Sequence, residues 1–547
     1  MDVIADLQLH SRFSRAVSKE MTLANISAWA KRKGIGLVAT GDWTHPMWYR
    51  EIERDLEETG TGLLKLKQGA GVAHTNFDPS PIPSRNKDTH SINSNPLGSG
   101  SGQNLTSSPI SGDPLFLLAT EVSCIYSQAG KGRRIHILVW VPTVESARKI
   151  SQEMTKRGCN LLSDGRPIIG LTAIDITELV FTIEPKALVI PAHVWTPWFS
   201  LYGSMSGFNS IDEAFGKYGK YIFAVETGLS SSPDMNWRIK ELDSRAILSF
   251  SDAHSGPKIG REATVFEIPE GKLSYDAIYQ AIRNRSDVSR DENFLDPLPA
   301  SSKKNKQTDV KLAEAESQVK TVKLEKRSAK ISSLTIPNNQ IPPTINQQPH
   351  IAYTIEFHPE EGKYHYTGHR ICKIRYNSEE VKKNGMTCPV CGKALTQGVM
   401  QRVEELAGRS EAELQVSGVK RQVSSDGTEL NMTKSNAFPQ RPPFVMLVPL
   451  VEIISECIGS PAISRVTQRV YNSLTDSLGG EFDVLLTASK AGIARVGGEK
   501  VAEGVLLARA GDITVEPGYD GVFGIVKIWG EGEKSLVDSS KEQLSIF

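Results

Sequence analysis

Through residues 1–299, short apolar runs of strand length alternate with longer amphipathic stretches. The runs are VIADLQLH, IGLVATG, LFLLATEV, IHILVWV, LVIPAH, YIFAVET and AILSFSD. Between them lie segments such as LANISAWAKRKG and VESARKISQEMTKRG, whose apolar residues recur at helical spacing. This alternation predicts parallel strands joined by helices, in an α/β barrel or a doubly wound sheet. Beyond Phe444 the pattern changes. LVEIISECIG, SPAISRVTQRVYNSLTDSLG and EFDVLLTAS carry apolar residues three and four apart, which predicts helices, with Ser460–Pro461 as one start.

Two stretches carry neither pattern. Residues 75–114 are rich in Pro, Ser, Asn and Gly, and residues 300–349 are Lys/Glu-rich and then Pro/Gln/Asn-rich. Neither buries enough apolar surface to offset the entropy of ordering, so the first is expected to be a disordered insertion and the second a flexible linker. The chain then divides into 1–299, 350–410 and 411–547. At 547 residues it is long enough for several domains. Lysine plus arginine (63) equal aspartate plus glutamate (63), so contact with nucleic acid would need local basic patches. No signal-peptide pattern opens the sequence, and the longest apolar stretch, FVMLVPLVEII, is broken by Pro449 and Glu452. A soluble, cytoplasmic protein without a membrane segment is expected. Of six cysteines, Cys372, Cys388 and Cys391 cluster, which points to a metal rather than to disulfides.

The ends of the strand runs carry the candidate chemistry. In order they offer Gln8 and His10, Asp42, Glu121, His136 at the start of the fourth run, His193, Glu226, and Asp252 with His254. Ligands and catalytic groups converge on the C-terminal rim of parallel α/β folds. One histidine or carboxylate at a strand end usually makes a structural hydrogen bond. A succession of them suits zinc, manganese or magnesium, with Glu121 placed to bridge two ions. His45 fits a supporting role beside Asp42, and His74 and His90 fit the surface.

In GHRICKIRYNSEEVKKNGMTCPVCGK, His369-x2-Cys372 and Cys388-x2-Cys391 form two knuckles able to hold one tetrahedral zinc ion. A Cys3His set with no vacant position is structural; His365 is a competing fourth ligand. Lys363, Arg370, Lys373, Arg375, Lys382, Lys383 and Lys393 surround it and suit phosphate contacts as well as a solvated face. IARVGGEKVAEGVLLAR is similar to a helix-hairpin-helix, although a plain turn into a helix explains it too. The ending KEQLSIF resembles a truncated sliding-clamp-binding peptide with Gln543, Ile546 and Phe547 as anchors, but lacks the second aromatic; a frayed tail is the simpler reading.

The motifs DLQLHS, TGD, ATEV, PAH, VETG and SDAH resemble the PHP (polymerase and histidinol phosphatase) superfamily of metal-dependent phosphoesterases. Longer segments, among them SRFSRAVSKEMTLANISAWAKRKGIGLVATGDWTHPMW, PAHVWTPWFSLYGSMSGFNSI and SDAHSGPKIGREATVFE, resemble its endonuclease Q branch. The resemblance covers residues 1–299 and implies a distorted (β/α)7 barrel with up to three metal ions on its rim. It further implies nicking of double-stranded DNA 5′ to deaminated bases (uracil, hypoxanthine, xanthine) or abasic sites, with DNA as the partner of the zinc module and of the helical 411–547 domain. One departure stands out: the superfamily opens with His-x-His, whereas this chain has Gln8-x-His10, a neutral and weaker amide ligand.

On that reading Glu121, His193 and Asp252 are the catalytic ligands, with zinc and either magnesium or manganese as cofactors. Trp195, Trp198 and Phe199, with Tyr202, would wall a pocket for a base, and Arg133, Arg134 and Arg261 would clamp phosphates. Two alternatives use the same residues: a small-molecule phosphoesterase of the histidinol-phosphatase type, and a non-catalytic DNA-binding protein with a degenerate barrel.

Overall fold

Each of the seven apolar runs carries a strand: Asp2–Asp6, Leu37–Ala39, Leu115–Gln128, Lys131–Val141, Leu188–Pro191, Ala224–Glu226 and Ala246–Leu248. The computed structural model describes residues 1–70, 112–283, 348–423 and 427–530. His74, His90, most of the expected insertion, nearly all of the expected linker, and Gln543, Ile546 and Phe547 lie outside the described residues. Among the described residues no helix is long and apolar enough to cross a membrane.

The first three strands are parallel neighbours, as expected. Thr22 caps the helix Leu23–Lys33 by accepting from the Asn25 N–H, and Gly34, at φ 83°, ends it and returns the chain to Leu37. The next pairings differ from the expectation: Leu115–Gln128, Lys131–Val141 and Leu188–Pro191 pair antiparallel. The cause is local. Only Ala129 and Gly130 join the first two strands, both at positive φ (49° and 74°), and so short a joint makes a hairpin, never a crossover. The reversal still serves the rim, because the start of Lys131–Val141 lies beside the far half of Leu115–Gln128. Ala224–Glu226 and Ala246–Leu248 form a parallel pair. Backbone bonds from Val194 N–H to Glu226 O and from His10 N–H to Ala253 O carry the circuit of strands back to its beginning.

The main sheet also extends outward. Asp2–Asp6 pairs antiparallel with Ala263–Glu267, and that strand pairs antiparallel with His350–Glu356, so the sheet runs on past residues 300–349. Phe444–Met446, Glu429–Ser435 and Val416–Gln422 continue it. The last two lie where the mainly helical part was expected. Val416–Gln422 is polar and mostly exposed, and Glu429–Ser435 buries only Leu430, Met432 and Ser435, so neither shows as an apolar run. Beyond them helices do dominate: Leu450–Ile458, Arg465–Leu478, Glu481–Leu486, Lys490–Gly497 and Glu499–Ala510. The second starts later than Ser460–Pro461, with Ser464 as its cap. The last two meet at the single residue Gly498 (φ 91°). These helices dock on Leu23–Lys33 through a buried ion pair, Lys33 Nζ to Glu481 Oε2 at 2.5 Å, which Tyr471 also joins with a 2.6 Å hydrogen bond.

Candidate metal centre

Two triads form on the rim. In the first, His10, Asp252 and His254 bring one ligand atom each within 4.8 Å of one another; in the second, Glu121, His136 and His193 do the same. Glu121 links them. Its Oε2 lies 3.4 Å from His10 Nε2, while its Oε1 lies 2.6 Å from His136 Nδ1 and 3.6 Å from His193 Nε2. The hairpin explains the Glu121–His136 contact: Glu121 opposes Leu138 and Ser123 opposes His136, so the pair is diagonal on one face of the ladder. His10 Nε2 is 3.1 Å from Asp252 Oδ1, and the His136 and His193 ring nitrogens are 3.0 Å apart.

Asp42 and Glu226 stand behind these groups rather than among them. Asp42 Oδ1 faces His10 Nδ1 at 3.1 Å, the ring nitrogen turned away from Asp252, and its Oδ2 accepts from Ser11 N–H, Ser11 Oγ and Ser14 Oγ. Such a carboxylate-to-imidazole contact fixes the tautomer and tilt of a candidate ligand. Glu226 accepts from the backbone N–H groups of His193 and Gly228. Gln8 donates to Glu121 Oε2 at 2.9 Å, and its own Oε1, buried, has no partner. His45 stacks on Phe13 with ring centroids 4.6 Å apart.

The backbone is bent to make this arrangement. Asp42, His193 and Asp252 adopt φ of 44°, 30° and 47°, where side chains other than glycine are uncommon and strain is stored. Gly228 is required beside one of them, since a Cβ there would stand 2.4 Å from His193 Cβ. Charge follows burial. Burial pushes the Glu121 carboxyl up, but Arg166 and His136 outweigh it and hold it well below the usual range. Burial drives His136 down to about 4 and Glu226 up to about 8. Burial opposes the charge on His10, yet Asp42 and Asp252 raise it well above the ordinary imidazole value.

Beside the second triad opens a cleft of about 720 Å³, lined by His136, His193, Trp198, Phe199, Tyr364 and Phe523 together with Lys258, Arg261 and Lys363. Trp198 and Tyr364 meet edge to face at 5.5 Å, and Lys363 lies over Phe523. Of the residues expected to touch nucleic acid, Trp198, Phe199 and Arg261 line this cleft, and the exposed Arg134 lies over Phe199. Trp195 does not: it is buried, with its indole N–H donating to Asn236 Oδ1 at 2.8 Å. Arg133 is likewise buried, spent on Glu213 and the Gly207 carbonyl, because its side chain points to the inner face of the hairpin.

The Cys3His group is local. His369, Cys372, Cys388 and Cys391 bring their ligand atoms within 4.8 Å, and His369 Nδ1 is 3.4 Å from Cys391 Sγ. Cys388 N–H donates to Lys393 O and Gly392 N–H to Cys388 O, closing the second knuckle. His365 stays apart from them, in the wall of the cleft.

The family model described as the MJ0043 C-terminal domain matches residues 449–512, the helical stretch. The uncharacterized protein MJ0043 of Methanocaldococcus jannaschii is 28% identical over 332 residues, 60% of this chain. The match takes in 31% of that longer protein, so the chain spans less than a third of this relative. Two solved structures match nearly end to end. The lesion-specific endonuclease PfuEndoQ from Pyrococcus furiosus is 25% identical, with a TM-score of 0.66 and 99% of both chains covered. Endonuclease Q bound to a 27-mer duplex with an abasic lesion at the active site is 26% identical, with a TM-score of 0.65 and 98% and 99% covered. Over nearly its whole length the chain is similar to endonuclease Q.

Within this fold, one further group stands at the rim. Arg166 Nη1 lies 3.2 Å from Glu121 Oε1. It comes from the loop SDGRP, which has no periodicity to flag it. The usable signal is Gly165: a Cβ there would stand 2.3 Å from Asp42 Oδ2, so only glycine lets this loop press against the site.

Proposed function

We propose that the chain is a metal-dependent DNA repair endonuclease that hydrolyses the phosphodiester 5′ to a deaminated base or an abasic site. In this reading residues 1–299 are a distorted (β/α)7 PHP barrel, 350–410 a zinc-bound module and 411–547 a mainly helical DNA-binding part. The observation that carries it is the pair of triads linked by Glu121, the second of which opens through His136 and His193 on a cleft lined by aromatic and charged side chains.

The donor sets fit divalent ions. Carboxylate oxygens and imidazole nitrogens converge, two of those nitrogens lie 3.0 Å apart, and the buried Gln8 Oε1 has no partner. His10, Asp252 and His254 would hold one ion and Glu121, His136 and His193 another, with magnesium, manganese or zinc as candidates; Cys372, Cys388, Cys391 and His369 would hold structural zinc. Such ions supply Lewis acidity and a water whose pKa falls toward roughly 7. The chain's own part is positional. Asp42 and Glu226 fix His10 and His193, so both imidazoles face the rim without rearrangement. Arg166, paired with Glu121 Oε1 at 3.2 Å, would offer the rest of its guanidinium to a phosphate drawn to the rim. Trp198, Phe199, Tyr364 and Phe523 offer faces for an unstacked base, and Lys258, Arg261 and Lys363 offer charge to its flanking phosphates. A base leaves the stack for a few kcal/mol, least when it is mispaired or missing.

The test is a labelled duplex with one deoxyuridine, deoxyinosine or abasic site, incubated with the protein in magnesium, manganese and zinc in turn. A single nick 5′ to the lesion, lost in His193→Ala, is expected. An uncut duplex with every ion, alongside phosphate release from simple monoesters, would assign the rim to a small-molecule phosphoesterase.

A further inference from the structure

The loop between His193 and the helix Ile211–Phe215 forms one wall of the cleft. It also touches a candidate ligand: His136 N–H donates to Phe199 O at 2.9 Å, and the Phe199 ring lies 4.9 Å from the His136 ring. The loop doubles back, with Tyr202 N–H donating to Val194 O at 2.8 Å and Phe208 N–H to Leu201 O at 2.6 Å. Folding this tight turns several carbonyls away from any strand ladder, and buried carbonyls need donors.

Arginine supplies them. Arg133, from the hairpin beneath, caps Gly207 O. Arg402 donates through Nε to Tyr202 O at 3.0 Å, and through Nη2 to Phe208 O at 3.1 Å and Asn209 Oδ1 at 2.7 Å. Arg402 is 200 positions from Tyr202 and belongs to the helix Val399–Leu406. That helix starts on the opposite wall of the cleft: Val399 N–H donates to Tyr364 O at 2.8 Å and Met400 N–H to His365 O at 3.1 Å. One guanidinium therefore joins the wall that carries Trp198 and Phe199 to the wall that carries Tyr364 and His365.

The geometry points to Arg402 as a positioning residue that sets the width of the cleft, and with it the placement of a DNA strand against the rim; this rests on the nuclease reading above. Arg402 touches no reacting group. Its effect passes through the loop, and a lysine, with a single ammonium in place of a planar fork, replaces only part of it.

The test compares Arg402→Gln and Arg402→Lys with the unaltered full-length chain. In Arg402→Gln, KM for the abasic duplex is expected to rise about tenfold while kcat changes less than about threefold, with Arg402→Lys in between. Amide exchange at Tyr202 and Phe208 is expected to quicken by about tenfold or more, with the helix Arg465–Leu478 unchanged. Exchange needs no cleavage, so a faster loop in a protein that cuts nothing would sink the nuclease reading and leave the Arg402 link between the walls standing. Unchanged KM and loop exchange in Arg402→Gln would overturn the assignment. So would loss of protection across the whole chain with kcat falling and KM unchanged, because that marks a general structural role.

Discussion

The rim draws its candidate ligands from as far apart as His10 and His254 and buries most of them, with His10 0% and Glu121 2% exposed and only Asp252 and His254 partly open. The Cys3His group takes all four ligands from His369 to Cys391, and Cys391 is exposed. Each arrangement has a different source of shape. At the rim, strands, capped helices and carboxylates such as Asp42 hold the donor atoms in place. In the knuckles a few backbone bonds and two short turns do the holding, so an ion bound there would contribute to folding itself. The rim also carries a cost the knuckles avoid, since its carboxylates are removed from water.

That cost gives the largest effect with which to sharpen the contrast. Glu262 and Glu356, on the paired strand ends behind the rim, are both fully buried, and burial raises Glu356 from 4.5 to about 7. Between those values the folded chain keeps a proton that the unfolded chain has lost. Stability therefore falls as pH rises through this window and levels off above it. At 1.36 kcal/mol per unit, the shift corresponds to about 3 kcal/mol. Glu356→Gln keeps groups able to bond Ser249 and Thr354, so denaturant unfolding at pH 5 and pH 8 should show the gain only at the higher pH. Equal gain at both would mean that the carboxyl is not held protonated.

Asp42→Asn comes next. Without its carboxylate on His10 Nδ1, binding of a divalent ion should weaken by about 10–100-fold, the range for a group that orients a metal-binding histidine. Calorimetric titration with manganese reads this directly, and unchanged affinity would break the claim that the rim is organised from behind. The smallest effect is expected from Cys391→Ser. Amide exchange across 367–396 should accelerate, while rim affinity stays within about twofold, as for independent sites. A parallel fall at the rim would show that the two regions are not separate.

The same contrast explains what the sequence disclosed. The knuckles were legible because their spacing is itself the site. At the rim, strand ends marked His10, Glu121, His136, His193, Asp252 and His254, which the structure gathers into two triads. Asp42 and Glu226 look identical in sequence to the triad residues; only the direction of their side chains, toward His10 Nδ1 and the His193 N–H, sets them apart. Trp195 and Arg133 follow the same logic, since an aromatic or a guanidinium beside a ligand can face inward as readily as outward. The antiparallel hairpin went unseen because its two-residue turn, Ala129–Gly130, sits between runs that read alike in either direction. Arg166 was hidden because loop residues obey no period.

Anomalous diffraction from crystals soaked in manganese tests the central claim most directly. Peaks are expected within coordination distance of His10, Asp252 and His254 and of Glu121, His136 and His193, with Glu121 between them. Signal confined to the Cys3His group, with the rim empty at saturating manganese, would contradict it.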